Sequence, residues 1–227
     1  MIFERQEKKY LLTDAQREAF LQRIRPYVEE DEHGAYTLTN LYFDDASFSN
    51  IRRSMEKPVF KEKMRLRGYG TPAPEDTVYW ELKKKYKKVG YKRRIETTPC
   101  AMAAYLKGKG TLPDSQSARE LDYFLRSKQL RPRIYIAYDR VAYYAKEDRE
   151  IRITFDENLR YRWHDLDLTA GDHDCKVYPI PGHLMELKVW HRIPHWLVDI
   201  LTDLKIYPVS FSKYGKIFEK EGMNQCS

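Results

Sequence analysis

Six stretches of this chain carry charged side chains at every second position. Residues 5, 7 and 9 are Arg, Glu and Lys; 63, 65 and 67 are Lys, Arg and Arg; 81, 83 and 85 are Glu, Lys and Lys. Lys92, Arg94 and Glu96 repeat the pattern, as do Arg152, Thr154 and Asp156, and then Glu186 and Lys188. The residues between them are largely apolar: Met64 and Leu66, Trp80 and Leu82, Ile153 and Phe155, Met185 and Leu187. Side chains alternate faces along a β-strand, so a period of two means one charged and one apolar face per strand. One such strand is ordinary on an antiparallel sheet. Six of them make a whole sheet face ionic.

Strand-like stretches rich in Tyr, Val, Ile and Phe run over 3–10, 37–44, 59–69, 77–86, 90–97, 133–143, 150–156 and 184–190. Gly34, Gly68, Gly70 and Gly90, with Pro72 and Pro74, punctuate them. Helical signals are fewer. Thr13 to Gln16 reads as a capping box ahead of Phe20, Ile24, Tyr27 and Val28. Residues 115–128 and 195–204 carry further apolar periodicity, while 107–116 and 169–183 read as loops. A sheet with one ionic face must either protect two edges or close on itself. The expectation is an α+β fold, a closed antiparallel barrel whose charged face is internal and whose apolar outside is covered by helices. With 227 residues and no long linker, the chain reads as one domain over 1–227.

Charge decides what such a face is for. The net charge is +7, and an anionic partner follows. Two like charges about 4 Å apart repel by roughly 4 kcal/mol at an effective dielectric near 20. Crowded cations therefore need water or a polyanion. Arginine binds phosphate in bidentate fashion and keeps its proton. Glu7, Glu81 and Glu186 lie in the same rows. Carboxylates among phosphate-binding cations hold Mg²⁺ or Mn²⁺, although ion pairing alone is the alternative for each. The chain has no GxxxxGK[ST], GxGxxG or HExxH. Asp172 to Cys175 carries metal-type residues without partner spacing, and the basic run at 83–88 has no nucleic-acid module around it. Cys100, Cys175 and Cys226 are widely spaced, the first residues are charged from position 4, and no apolar run approaches the ~18 residues that span a bilayer. The reading is a cytoplasmic chain without a membrane segment and without a specific nucleic-acid partner.

Taken in order, R-x-E-x-K-Y at 5–10, LYFD at 41–44, K-x-R-x-R-x-Y at 63–69, WELK at 80–83, KRR at 92–94, YDR at 138–140, RITFD at 152–156, MELK at 185–188 and SKYGK at 212–216 resemble the VTC (vacuolar transporter chaperone) catalytic domain. That domain is a branch of the triphosphate tunnel metalloenzymes, the CYTH superfamily. The resemblance implies an eight-stranded antiparallel tunnel and a polyphosphate polymerase that extends polyphosphate from ATP. It implies that Lys9, Arg65, Arg67, Lys83, Lys92, Arg94, Arg140 and Arg152 grip phosphates, that Glu186 holds Mn²⁺ or Mg²⁺, and that Lys213 and Lys216 lie near a tunnel mouth or contact the chain. Arg5, Lys63 and Lys188 join the phosphate-binding set from their places in the charged rows. ATP, polyphosphate and inorganic phosphate or pyrophosphate are the expected partners. Arg5 stands where the wider superfamily has Glu, as in the VTC branch, and Arg140 is in phase with Ile134 and Ile136 unless a bulge re-aims it. A triphosphatase of the same fold and a non-catalytic polyanion binder are the alternatives.

Overall fold

The computed structural model describes residues 6–56, 58–87, 89–190 and 192–222. In chain order the elements are β1 (Gln6–Leu12), α1 (Asp14–Ile24), β2 (Val28–Glu30), β3 (Tyr36–Asp44), α2 (Ser49–Met55), β4 (Phe60–Tyr69), β5 (Val78–Tyr86), β6 (Val89–Thr97), α3 (Pro99–Leu106), α4 (Gln116–Ser127), β7 (Arg131–Ala145), β8 (Arg152–Arg162), β9 (Lys176–Val177), β10 (His183–Val189), α5 (His195–Asp203), β11 (Pro208–Val209) and α6 (Lys213–Glu221). All eight expected strands are present. Residue contacts divide the chain into two compact units. The first holds the chain up to Tyr36, Tyr138–Leu159 and Pro179–Phe211; the second holds Thr37–Ala137, Arg160–Tyr178 and the chain from Ser212.

In the first unit β1 pairs antiparallel with β10, and β10 with β8, so that Glu7 faces Lys188, Lys9 faces Glu186, and Glu186 faces Thr154. The alternate residues Tyr10, Leu12, Ile153, Phe155, Met185, Leu187 and Val189 form a core with Phe20 and Ile24 of α1 and Leu197, Ile200 and Leu201 of α5. In the second unit β4 lies between β3 and β5, and β6 adds to β5, all antiparallel. Here Leu41, Phe43, Met64, Leu66, Val78, Trp80, Leu82 and Ile95 build the core, covered by Met102 and Tyr105 of α3 and Leu121, Phe124 and Leu125 of α4. Each unit thus has the two-faced strands that the sequence period demands.

Two features differ from the expectation. Among the described residues the strands number eleven, three more than expected, because β2, β9 and β11 are only two or three residues long, too short to show an alternation. Among the described residues β11 pairs only with β1 and β6 only with β5, so the strand order has two ends instead of the closed circuit of eight. Both edges carry protection. Pro208 in β11 has no N–H to offer, and β6 is lined with Lys92, Arg93 and Arg94.

Helix starts follow local chemistry. Thr13 and Gln16 form the reciprocal capping box of α1. Thr98 caps α3 ahead of Pro99, Ser115 caps α4, and Ser212 caps α6. The three unforeseen helices, α2, α3 and α6, are seven to nine residues long. α2 has no cap of its own; buried Asp44 at the end of β3 instead accepts from the Asn50 and Ile51 N–H groups, both at 3.0 Å. Asp172, in the expected loop, accepts from Arg160 at 2.6 Å. That loop is pinned by Arg162, 2% exposed, which donates to the carbonyls of Asp165 and Asp167 at 2.9 Å and of Gly171, and lies 4.0 Å over the Tyr135 ring.

Gly182, just before β10, has φ +92°, and a Cβ there would collide with the Leu12 carbonyl. Gly90 in β6 has open space around its Cβ position and no positive φ. Gly182→Ala is expected to cost more than about 1 kcal/mol in a denaturant titration, while Gly90→Ala leaves the midpoint unchanged or slightly higher. Equal behaviour of the two variants would contradict the assigned register of β1 on β10.

Candidate functional site: two ionic sheet faces

The ionic face of the second unit is ordered in rows across β4, β5 and β6. Register puts Arg67, Tyr79 and Glu96 in one row, Arg65, Glu81 and Arg94 in the next, then Lys63, Lys83 and Lys92, then Lys61, Lys85 and Gly90. Rows lie about 6.8 Å apart, two strand residues. Glu81 is the hub. It is 3% exposed, and its carboxylate takes Arg65 at 2.7 Å and the Lys92 ammonium. Burial pushes the Glu81 carboxyl up, but Arg65, then Arg67 and Lys92, outweigh it and hold the pKa at about 2. Burial pushes the Lys92 ammonium down, against the pull of Glu81.

Neighbouring polar groups aim these cations. Arg65 also donates to the Tyr42 hydroxyl at 3.3 Å, and Arg67 donates to the Asn40 side chain at 2.9 Å. Asn40 is itself fixed by donating to the Ile136 carbonyl at 3.1 Å. Arg94 lies 4.2 Å over the Tyr79 ring. Lys63 donates to Ser212, the cap of α6, at 2.8 Å. The SKYGK segment therefore opens α6 beside this face: Lys213 is buried in the first turn, while Lys216 points to Glu219 at 2.7 Å.

The ionic face of the first unit is built on β1, β10 and β8. Glu186 is 6% exposed, with Lys9 at 3.8 Å and the Lys188 ammonium in contact. Lys9 also donates to the Phe211 carbonyl at 2.9 Å. Burial pushes Lys188 down, while Glu186 pulls it up. Arg140 makes a bidentate pair with Asp156, at 2.6 and 2.8 Å, and both are nearly fully buried. Its row is apolar at Ile134 and Ile136 and becomes ionic at Arg140, where Asp156 supplies the partner. Arg152 donates to the Tyr36 hydroxyl at 2.9 Å and contacts Asp31 at 3.4 Å. Thr154, the register partner of Glu186, is fully buried and its hydroxyl has no hydrogen-bond partner among the described residues.

Of the residues singled out in the sequence, Arg65, Arg67, Lys83, Lys92, Arg94, Lys63 and Glu81 share the second unit's face with Lys213 beside it. Lys9, Glu7, Glu186, Lys188, Arg152 and Arg140 share the first unit's face. Arg5 lies outside the described residues. Asn40, Tyr42 and Asp156 were not foreseen as site residues. Tyr42 is in the LYFD motif and Asp156 ends RITFD, so the motifs were visible but the contacts were not.

The donor set decides which group could hold a divalent ion. Among the described residues no three His, Cys, Asp or Glu side chains converge into a metal cage. Mg²⁺ and Mn²⁺ do not need one: one or two carboxylates, water and phosphate oxygens suffice. Glu186, with Glu7 on the same face of the neighbouring strand, fits that requirement. Glu81 and Glu186 each set both oxygens against cations, Arg65 and Lys92 for Glu81, Lys9 and Lys188 for Glu186; what distinguishes Glu186 is the second carboxylate, Glu7, on the same face.

The sequence profile of the VTC domain family matches residues 4–220. Vacuolar transporter chaperone complex subunit 4 of Trypanosoma cruzi (strain CL Brener) is 24% identical over 219 residues, covering 78% of this chain and 27% of that protein. The chain thus spans about a quarter of the length of that relative, 27%. A proposed adenylate cyclase from Vibrio parahaemolyticus superposes with a TM-score of 0.54 at 12% identity, over 96% of this chain and 99% of that one. A second, from Bacillus halodurans, gives 0.54 at 13% identity over 92% and 95%. These superpositions show a shared fold: an α+β arrangement of antiparallel strands with flanking helices.

The Glu81 hub carries a pH signature. Its folded pKa, about 2, lies below the ordinary 4.5, so its contribution is complete above pH ~4.5 and is lost as pH falls towards 2. The contribution is roughly 3 kcal/mol. Glu81→Gln is expected to flatten the acid limb of a stability–pH curve. An unchanged acid limb would show that Glu81 is not held by Arg65 and Lys92.

Proposed function

The chain belongs to the VTC domain family, and on that premise we propose that it is a polyphosphate polymerase using ATP as phosphoryl donor. The observation that carries this reading is the charge count on one sheet face. Across β4, β5 and β6 of the second unit, Lys61, Lys63, Arg65, Arg67, Lys83, Lys85, Lys92 and Arg94 stand against only Glu81 and Glu96. A solvated face has no need of such one-sided crowding, and a chain of phosphates neutralises it. The match to a subunit of a vacuolar transporter chaperone complex supports the same reading.

In the proposed reaction a terminal oxygen of the acceptor chain attacks the γ-phosphorus of ATP. The bond from that phosphorus to the β–γ bridging oxygen breaks, and ADP leaves with the electron pair. Terminal phosphate oxygens carry charge at neutral pH, so the acceptor needs no general base. Alignment and charge stabilisation do the remaining work. Arg65, Arg67, Lys83, Lys92 and Arg94 bind and orient phosphates on one face. Lys9, Lys188, Arg140 and Arg152 do so on the other, with Asp156 and Tyr36 fixing the two guanidinium groups. Lys63, Lys213 and Lys216 contact the chain beside α6. Glu186, with Glu7, would hold Mn²⁺ or Mg²⁺, which when bound neutralises charge on the donor phosphates. Placement in the cytoplasm belongs to the same proposal; among the described residues no helix is long and apolar enough to cross a membrane.

Incubation with ATP and Mn²⁺, with ADP, free phosphate and long chains assayed separately, tests the reading. ADP with chains supports the polymerase. ADP with free phosphate moves the assignment to a triphosphatase, and neither product to a binder. Glu186→Gln keeps the shape but removes the charge. Tripolyphosphate affinity is expected to survive, while metal-dependent turnover falls about 100-fold or more, since the ion's contribution is several kcal/mol and each 1.36 kcal/mol is tenfold. Near-normal turnover with lowered stability would make Glu186 an ion-pair partner only.

A further inference from the structure

The row Lys9–Glu186–Thr154 runs straight across β1, β10 and β8 of the first unit. Residues opposite one another in a ladder point to the same face, so the Thr154 side chain lies on the ionic face beside Glu186, with Cβ atoms about 4.5–5.5 Å apart. Its sequence neighbours Ile153 and Phe155 belong to the core on the other side. Thr154 is fully buried, and its hydroxyl has no hydrogen-bond partner among the described residues. An unmade hydrogen bond on a buried hydroxyl costs folding free energy, and valine, of the same shape, would not carry that cost. Glu186, beside it, is met by two ammonium groups, Lys9 at 3.8 Å and Lys188 in contact. Both sit on flexible stems that can turn to another anion. The guanidinium groups of the same face are fixed: Arg140 in its bidentate pair with Asp156, Arg152 by Tyr36 and Asp31.

We propose that Thr154 is a positioning residue for Glu186: its hydroxyl donates to the Glu186 carboxylate once Lys9 and Lys188 turn to phosphate. The inference rests on the phosphate-processing reading above and adds to it a residue that acts through Glu186. Glu186 is 6% exposed, so water cannot replace the ammonium groups when they leave. A buried carboxylate left without donors costs far more than a buried hydroxyl left without an acceptor. Torsions of the two side chains alone close the gap across the ladder, and the bond gained, to a charged acceptor, is of the stronger kind. Thr154 is neutral and enclosed, so it does not follow the phosphate as the lysines do. The unmade bond of the free fold is then a donor kept in reserve. It holds Glu186 in one orientation during phosphate binding, which is when the carboxylate is needed for the divalent ion assigned to it above.

The test compares Thr154→Val, which removes only the hydroxyl, with Thr154→Ser, which keeps it. Melting temperature is measured without ligand, and tripolyphosphate affinity without metal. Thr154→Val is expected to melt at the parent temperature or above, because no bond of the free fold is lost, and to bind tripolyphosphate about tenfold more weakly. Thr154→Ser is expected to show the opposite pattern: a lower melting temperature from the missing methyl group, with affinity within about twofold of the parent. In a Glu186→Gln background most of the effect of Thr154→Val on affinity is expected to disappear, since the two residues act as a pair. A lower melting temperature for Thr154→Val overturns the assignment, because the hydroxyl would then be engaged in the free protein. Unchanged affinity in Thr154→Val overturns it too. The full tenfold loss persisting beside Glu186→Gln overturns it in favour of a direct contact between Thr154 and phosphate. A parent protein that binds no tripolyphosphate overturns the phosphate reading as well.

Discussion

Lysine opposite lysine across neighbouring strands is the constraint around which the second unit is organised. Lys63 faces Lys83, Lys83 faces Lys92, and Lys61 faces Lys85. Each such pairing is destabilising by about 0.2–1 kcal/mol. What holds the strands in that register is on the other side of the same residues. Met64, Leu66, Trp80 and Leu82 are 4% exposed or less and pack under α3 and α4. A slip of one residue would put these apolar groups in water and the lysines in the core, so the register has no competitor. Stability therefore comes from one face, and the other carries crowded positive charge that Glu81 offsets only in part.

The first unit answers the same constraint differently. Its ionic face sets Lys9, Lys188, Arg140 and Arg152 against Glu7, Glu186, Asp156 and Asp31, so charge is close to balanced and most groups are paired in place. The bidentate Arg140–Asp156 pair is the firmest part, because both partners are buried and removing either would strand a charge.

How much of this was legible in the sequence depended on the length of the signal. The long strands announce themselves by period two, and α1 by Thr13 and Gln16. α2 did not, because its cap is a side chain four residues upstream of Phe48, Asp44, which no local pattern ties to a helix. α3 has a local start signal at Thr98 and Pro99 but only eight residues to support it, and α6 hides behind Gly215 in its first turn. The charged rows show which residues share a face but not their partners. Nothing in spacing says that Glu81 is shared by Arg65 and Lys92, or that Asp156 makes an ionic position out of Arg140's apolar row. Partnership is set by strand order, which is long-range, and the expectation of a closed circuit shows where local periodicity stops being informative.

The central claim is that the cations of the second unit's ionic face repel one another until phosphate binds. Thermal denaturation at low salt, with and without tripolyphosphate and with no metal present, tests it most directly. The account predicts a higher melting temperature with tripolyphosphate, equivalent to about 2.7 kcal/mol at a hundredfold excess over the dissociation constant, and a gain that shrinks as salt rises. Identical melting curves at low salt would contradict it.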